Sequence, residues 1–194
     1  MHAFTVITPC SRPENLPTLR SSIDFGIVTR WIVVHDCQAK PFVKKLPDDD
    51  KIQEVPCYFR SKSGNGPRNL GLSMVHEGFV YFLDDDNVVH PKFWSCIVPL
   101  LKPSSIATFD MQYGNGTVLR GSDPRPQRID TAMCAFDRAL CTFEWDLNEY
   151  IADGIFIEKL VKQNAAKWSY IPIVAAYYNR LRDDYVGPYI GFNV

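Results

Sequence analysis

Three consecutive carboxylates, Asp84-Asp85-Asp86, stand directly after the apolar run Phe79-Val80-Tyr81-Phe82-Leu83. Aspartates favour turns and solvent, so a triplet that follows a segment reading as a buried strand calls for a reason. In open α/β sheets ligands bind beyond the carboxyl ends of the strands. A hard divalent cation there is held by one or two carboxylates together with phosphate oxygens. The pattern therefore points to a cation and a phosphorylated ligand. Alternate residues of an extended segment face the same way, which predicts that Asp84 and Asp86 share a face and that Asp85 turns away. A second triplet, Asp48-Asp49-Asp50, follows Pro47 with no strand leading in and reads as a solvated turn.

Ahead of the acids lies Ser63-Gly64-Asn65-Gly66-Pro67-Arg68-Asn69. Its glycines permit close backbone approach, and Arg68 begins a helix whose end favours anions. The spacing matches neither a Walker loop nor the dinucleotide fingerprint. The four histidines, His2, His35, His76 and His90, are dispersed; His90 alone follows the acids closely and reads first as a helix-start or surface residue. Six cysteines lack zinc spacing and read as reduced thiols, most of them in the core. Cys10 and Cys37 follow strands, but no histidine partner suggests a nucleophile.

These side chains need a scaffold. Residues 4–8 read as a first strand stopped by Pro9, residues 31–35 as a second that ends at Asp36, and residues 79–83 as a third. Residues 14–22 look helical. So do residues 67–77, with Pro67 at the first position, Leu70, Met74 and Val75 as an apolar stripe, and Gly78 as the stop. Strand, helix, strand, helix, strand implies right-handed crossovers and a parallel sheet. If the strands are neighbours, Thr8-Pro9, Asp36 and Asp84 converge on one edge. Further on, residues 91–98 read as a short helix, 106–111 as a strand, 114–116 as a turn and 121–126 as a loop able to cover a site. Helices are expected over 132–141 and 155–167, and a closing strand over 168–172.

The chain has 194 residues, which fits one domain with a sizeable core. Net charge is −1, so the broad basic footprint needed for nucleic acid is missing, and no nucleic-acid partner is expected. The start, Met1-His2-Ala3-Phe4-Thr5, is too polar for a signal peptide, and no apolar run reaches membrane-spanning length. A cytoplasmic protein without a membrane span is the expectation.

Taken in order, these pieces resemble the GT-A glycosyltransferases, in particular the small, soluble, inverting enzymes of the family 2 type. The likeness runs from about Phe4 to Tyr178. It implies an α/β GT-A fold: a mostly parallel central sheet flanked by helices in a single domain, residues 1–194. Residues 1–90 would be the nucleotide and metal half, 91–184 the acceptor side, and 185–194 a tail able to lead into another domain. By the same likeness, Thr8, Pro9, Ser11 and Arg12 line the nucleotide and Asp36 reads the base. Arg68 and its glycine stretch precede the helix, and Asp84 and Asp85 meet the nucleotide sugar. Asp86, with Asp84, would ligate Mn²⁺ or Mg²⁺. Asp153, in Ala152-Asp153-Gly154, would be the general base, against the plain reading of an aspartate at a helix start as a cap. Trp145 and Tyr150 are the acceptor-side aromatics.

The function implied is a metal-dependent, inverting, hexosyltransferase-like reaction. It moves one sugar from a nucleotide diphosphate sugar, expected to be a UDP-sugar, to a hydroxyl of a glycan or other acceptor. The chain departs from the family where Asp36-Cys37-Gln38 replaces a serine-rich turn, and it lacks the Gln-x-x-Arg-Trp motif of processive synthases. Two other readings remain: a nucleotidyltransferase, which expects a glycine-rich basic loop where Thr8-Pro9-Cys10-Ser11-Arg12-Pro13 stands, and a non-catalytic module that binds nucleotide sugar and metal.

Overall fold

In chain order the elements are β1 (Phe4–Cys10), α1 (Leu16–Ser22), β2 (Arg30–Asp36), β3 (Ile52–Cys57), α2 (Asn65–Ser73), β4 (Phe79–Phe82), β5 (Val88–Val89), β6 (Ile106–Gln112), β7 (Val118–Leu119), β8 (Cys134–Asp137), α3 (Ala152–Gln163) and β9 (Trp168–Tyr177). They come from a computed structural model that describes residues 2–38 and 41–182. The tail expected at 185–194 lies outside those residues. One sheet runs β3-β2-β1-β4-β8-β6-β9-β5, with β7 beside β6.

The expected neighbours are neighbours. β1 pairs in parallel with β2 on one side and β4 on the other, in the registers Val6↔Trp31 and Val6↔Tyr81. All seven residues of β1 are buried, as a strand covered on both faces requires. Its run continues through Pro9. Leu83 donates its N–H to the carbonyl of Ile7, so the odd residues of β1 face β4, and that pairing has ended before Pro9. The missing N–H of the proline therefore costs no ladder bond.

α2 lies across β1 so closely that a Cβ on Gly71 would overlap Ile7. The helix begins at Asn65, after Gly64 at φ +74°, two residues earlier than Pro67 suggests. Gly78 is a turn residue at φ +80° leading into β4 rather than the helix stop.

Beyond β4 the sheet becomes mixed. β8 runs antiparallel between β4 and β6, where a helix over 132–141 was expected. The reason is burial on both faces: Ala132, Met133, Cys134, Ala135 and Phe136 are all buried, and a continuous apolar run carries no period that separates a strand from a buried helix. β9 runs past Pro172, which lies where the register against β6 slips, from Phe109↔Ile171 to Asp110↔Val174. A bulge is where a proline fits in a sheet. The edge strand β3, with Pro56 inside it, was not expected at all. Among the described residues no helix is long and apolar enough to cross a membrane.

Candidate active site

The carboxyl ends of β1, β2 and β4 open into a cavity of about 500 Å³, a size suited to a small ligand. Pro9, Ser11, Arg12, Asp36, Arg68, the triplet Asp84 to Asp86, Tyr150 and Asp153 all line it. Two expected residues do not. The hydroxyl of Thr8 is buried beneath the edge, where it accepts the indole N–H of Trp31 at 2.9 Å. The alternation along β1 thus turns Thr8 inward. Trp145 is buried as well, stacked flat on Phe156 with centroids 4.2 Å apart, so it is a core residue rather than a sugar platform. Tyr150 is 79% exposed at the rim.

The three acids of the triplet have three different environments. β4 ends at Phe82 and the chain turns at Asp85 and Asp86, so the strand alternation no longer applies and Asp85 does not turn away. Its Oδ2 accepts the backbone N–H groups of Ser11 at 2.5 Å and Arg12 at 2.6 Å, and the Ser11 hydroxyl at 3.1 Å. Its Oδ1 takes Nη1 of Arg12 at 2.8 Å. Asp85 therefore ties the loop after β1 to the loop after β4. Asp84 accepts Nη2 of Arg68 on both oxygens, at 2.7 and 2.9 Å. Asp86 is buried, and among the described residues its carboxylate accepts one hydrogen bond, a long one of 3.3 Å from Arg12 Nη1. Burial, and then the charges of Asp84 and Asp85, push its carboxyl up to about 7, against the pull of Arg12 and Arg182.

Arg68 itself is buried in α2, which is why it meets Asp84 rather than solvent. Its other amino group donates to Asn65 Oδ1 and to the carbonyl of Ser63, and its guanidinium lies 4.9 Å over the Trp145 ring. Asp36 ends β2 and accepts both the backbone and the side-chain N–H of Gln38 at 3.2 Å.

Asp153 stands in the first turn of α3. Its Oδ1 accepts the N–H of Gly154 at 2.8 Å. Burial raises its pKa, and the Asp84 charge adds to this, while the Gly154 N–H and Arg68 oppose it. Gly154 is required there, since a Cβ would run into the backbone of Pro126. The loop over 121–128 thus rests on the start of α3. Sequence reasoning missed Asp130, which also lines the cavity and caps the turn before β8 through the N–H of Ala132 at 3.0 Å. Burial and the charges of Asp84 and Asp153 raise its pKa too. An aspartate before a short apolar run is a capping pattern, which marks a turn and not a site. His90 accepts the N–H of Lys92 at 3.0 Å and packs on Tyr177, which is the helix-start role.

No protein-family model matches the sequence, and no curated protein matches it. Solved structures do. S. aureus TarS 1–349 aligns over 90% of this chain with a TM-score of 0.70 at 17% identity. The same protein in complex with UDP-GlcNAc aligns at 0.65 and 16%. Glucosyl-3-phosphoglycerate synthase from Mycobacterium tuberculosis, solved with Mn²⁺, UDP and glucosyl-3-phosphoglycerate, aligns over 90% of this chain at 0.60 and 16%. The chain has the GT-A fold. It spans 60% of the TarS 1–349 chain and 71% of the mycobacterial synthase.

Within this GT-A fold the charge of the cavity is lopsided. Among the described residues six aspartates line it, Asp36, Asp84, Asp85, Asp86, Asp130 and Asp153, against three guanidinium groups, those of Arg12, Arg68 and Arg182, and burial raises the pKa of three of the six, Asp86, Asp130 and Asp153. With those carboxyls ionised, such a surface repels a diphosphate unless a cation comes with it. Among the described residues no group of three or more His, Cys, Asp or Glu side chains is arranged to hold a metal by itself. A cation bound by one or two carboxylates and completed by phosphate oxygens needs no such group. One or two of these carboxylates, together with phosphate oxygens, would fit a divalent cation.

Proposed function

We propose that the chain is a metal-dependent, inverting glycosyltransferase that moves one sugar from a nucleotide diphosphate sugar, a UDP-sugar in the simplest reading, to an acceptor hydroxyl. One observation carries the proposal: Asp36, the triplet and Asp153, which lie far apart in sequence, line a single cavity at the carboxyl edge of the sheet. The GT-A fold shared with a protein solved with UDP-GlcNAc, and with one solved with Mn²⁺ and UDP, supports the same reading.

In this reading Asp36 contacts the base and the loop 9–12 flanks the nucleotide. Asp86, with Asp84 in part, would hold Mn²⁺ or Mg²⁺, which when bound supplies a Lewis acid for the charge that develops on the departing diphosphate. Arg68 adds a fixed guanidinium on the same side and holds Asp84 in place. Asp153 accepts the proton of the acceptor hydroxyl as its oxygen attacks the anomeric carbon from the face opposite the leaving group. A carboxyl whose pKa is raised by burial is the better base for that step. Tyr150, exposed at the rim, offers a ring face to the acceptor.

The test is a panel of UDP-, GDP- and dTDP-sugars incubated with Mn²⁺, Mg²⁺ or chelator, using wild type and Asp153→Asn, with the anomeric configuration of the product read by NMR. Metal-dependent turnover of one donor with inversion, lost in the variant while UDP still binds, establishes the reading. A product that keeps the donor's configuration removes Asp153 as the base. Absence of binding to any donor sinks the transferase assignment.

A further inference from the structure

One nitrogen of Arg12 touches three oxygens. Nη1 lies 2.8 Å from Asp85 Oδ1, 3.3 Å from Asp86 Oδ2 and 3.4 Å from Ser11 Oγ. The two acids differ in what else they have. Asp85 also accepts two backbone N–H groups and a hydroxyl, so it keeps its place without the guanidinium. For Asp86, the contact with Arg12 is the one hydrogen bond its carboxylate accepts among the described residues. At 3.3 Å it is long for a charge-assisted pair, which usually closes to about 2.7–2.9 Å. The Arg12 side chain is 34% exposed and that of Asp86 is 12% exposed, so the guanidinium reaches inward from solvent.

Resting on the metal-dependent reading above, we infer that Arg12 is a built-in counter-cation: its guanidinium holds Asp86 until a divalent cation takes that carboxylate, and then passes to the diphosphate. A guanidinium keeps its charge at any working pH. At about 4 Å its repulsion of a second cation is several times thermal energy, even at the effective dielectric of a protein surface. Both cannot share the Asp86 oxygen. The backbone of Arg12 need not move, because its N–H is fixed on Asp85 at 2.6 Å. The long stem swings while its root stays pinned. Nucleotide and cation then help one another, since the diphosphate gives the displaced guanidinium a new partner.

Mn²⁺ binding without nucleotide, followed through the electron paramagnetic resonance signal of the free ion, tests this on wild type, Arg12→Gln, Arg12→Lys and Asp86→Asn. Arg12→Gln should bind Mn²⁺ about tenfold more tightly than wild type, because a competing charge has gone. Arg12→Lys should stay near wild type, and Asp86→Asn should lose the site. At saturating Mn²⁺, UDP should bind Arg12→Gln about tenfold more weakly by calorimetry, for want of the diphosphate contact. An arm that needs no variant uses phenylglyoxal on wild type: Mn²⁺ should speed modification of Arg12, read by peptide mass spectrometry. Equal or weaker Mn²⁺ binding in Arg12→Gln overturns the inference, as does a lysine variant as tight as the glutamine one, or Mn²⁺ that leaves Arg12 no more reactive. Failure of every protein to bind UDP counts against the transferase reading instead, and leaves the Mn²⁺ comparison standing.

Discussion

Arg68 holds Asp84 through a single nitrogen, Nη2, bonded to both carboxylate oxygens, while the same guanidinium lies over the ring of Trp145. Trp145 in turn stacks on Phe156 of α3. A line of contact thus runs from the triplet, through α2, to the helix that carries Asp153. Arg68→Lys keeps the charge but loses the second amino group, which reaches Asn65 and Ser63, and the flat face that meets the ring. We expect kcat/KM to fall about 100-fold, in line with a small misplacement of reacting groups. The melting temperature should fall as well, and steady-state kinetics beside calorimetry checks both.

Replacing Asp153 by Asn removes the proposed base and keeps the volume. The expected result is a kcat lower by about 10²–10⁴-fold, the usual contribution of a general base, with UDP affinity unchanged by titration calorimetry. A variant that turns over at the wild-type rate would return Asp153 to a capping role.

Asp85→Asn should act on stability more than on chemistry. The carboxylate receives two backbone N–H groups, a hydroxyl and a guanidinium, and an amide presents a donor to part of that set. A loss of about 1–3 kcal/mol in unfolding free energy is expected, measured by urea denaturation. Asp86→Asn should show no such loss.

pH gives a separate handle on Asp86. In the folded chain its carboxyl keeps a proton up to about 7, whereas in the unfolded chain it ionises near about 4. The folded state therefore binds more protons between those values, and its stability falls as pH rises through that window. Melting temperatures taken in chelator from pH 4 to 7 should decline, less so in Asp86→Asn. Mn²⁺ with UDP should raise the melting temperature at pH 7 and do little at pH 5, where the Asp86 carboxyl is protonated.

Gly154→Ala tests the contact between the 121–128 loop and α3. The added methyl meets the backbone of Pro126, which cannot give way as a side-chain tip would. Overpacking of this kind costs about 1–3 kcal/mol. The expected signature is a lower melting temperature together with a raised acceptor KM.

The half of the fold that holds the triplet was legible because its strands end in unmistakable residues. Val33 and Val80 lie in continuous apolar runs that Asp36 and Asp84 punctuate, whereas β1 carries on past Pro9 to Cys10. Past Asp86 the signals weaken. β8 is apolar on both faces and reads equally well as helix, and Pro172 hides the length of β9 because a bulge is invisible in one dimension. In the site, the likeness misplaced Thr8 and alternation misplaced Asp85. Thr8 points inward to Trp31, and Asp85 escapes the strand geometry altogether because the chain turns there. Asp130 was passed over because a lone aspartate in a loop carries no spacing. Only the fold brings it beside the others.

The pin made by Asp85 has a practical consequence for anyone who disables this chain. Mutating all three acids together would unfasten two loops at once, so a dead protein would say as much about its scaffold as about its reaction. An inactive control that still folds is better made at Asp86, with its two neighbours left as they are.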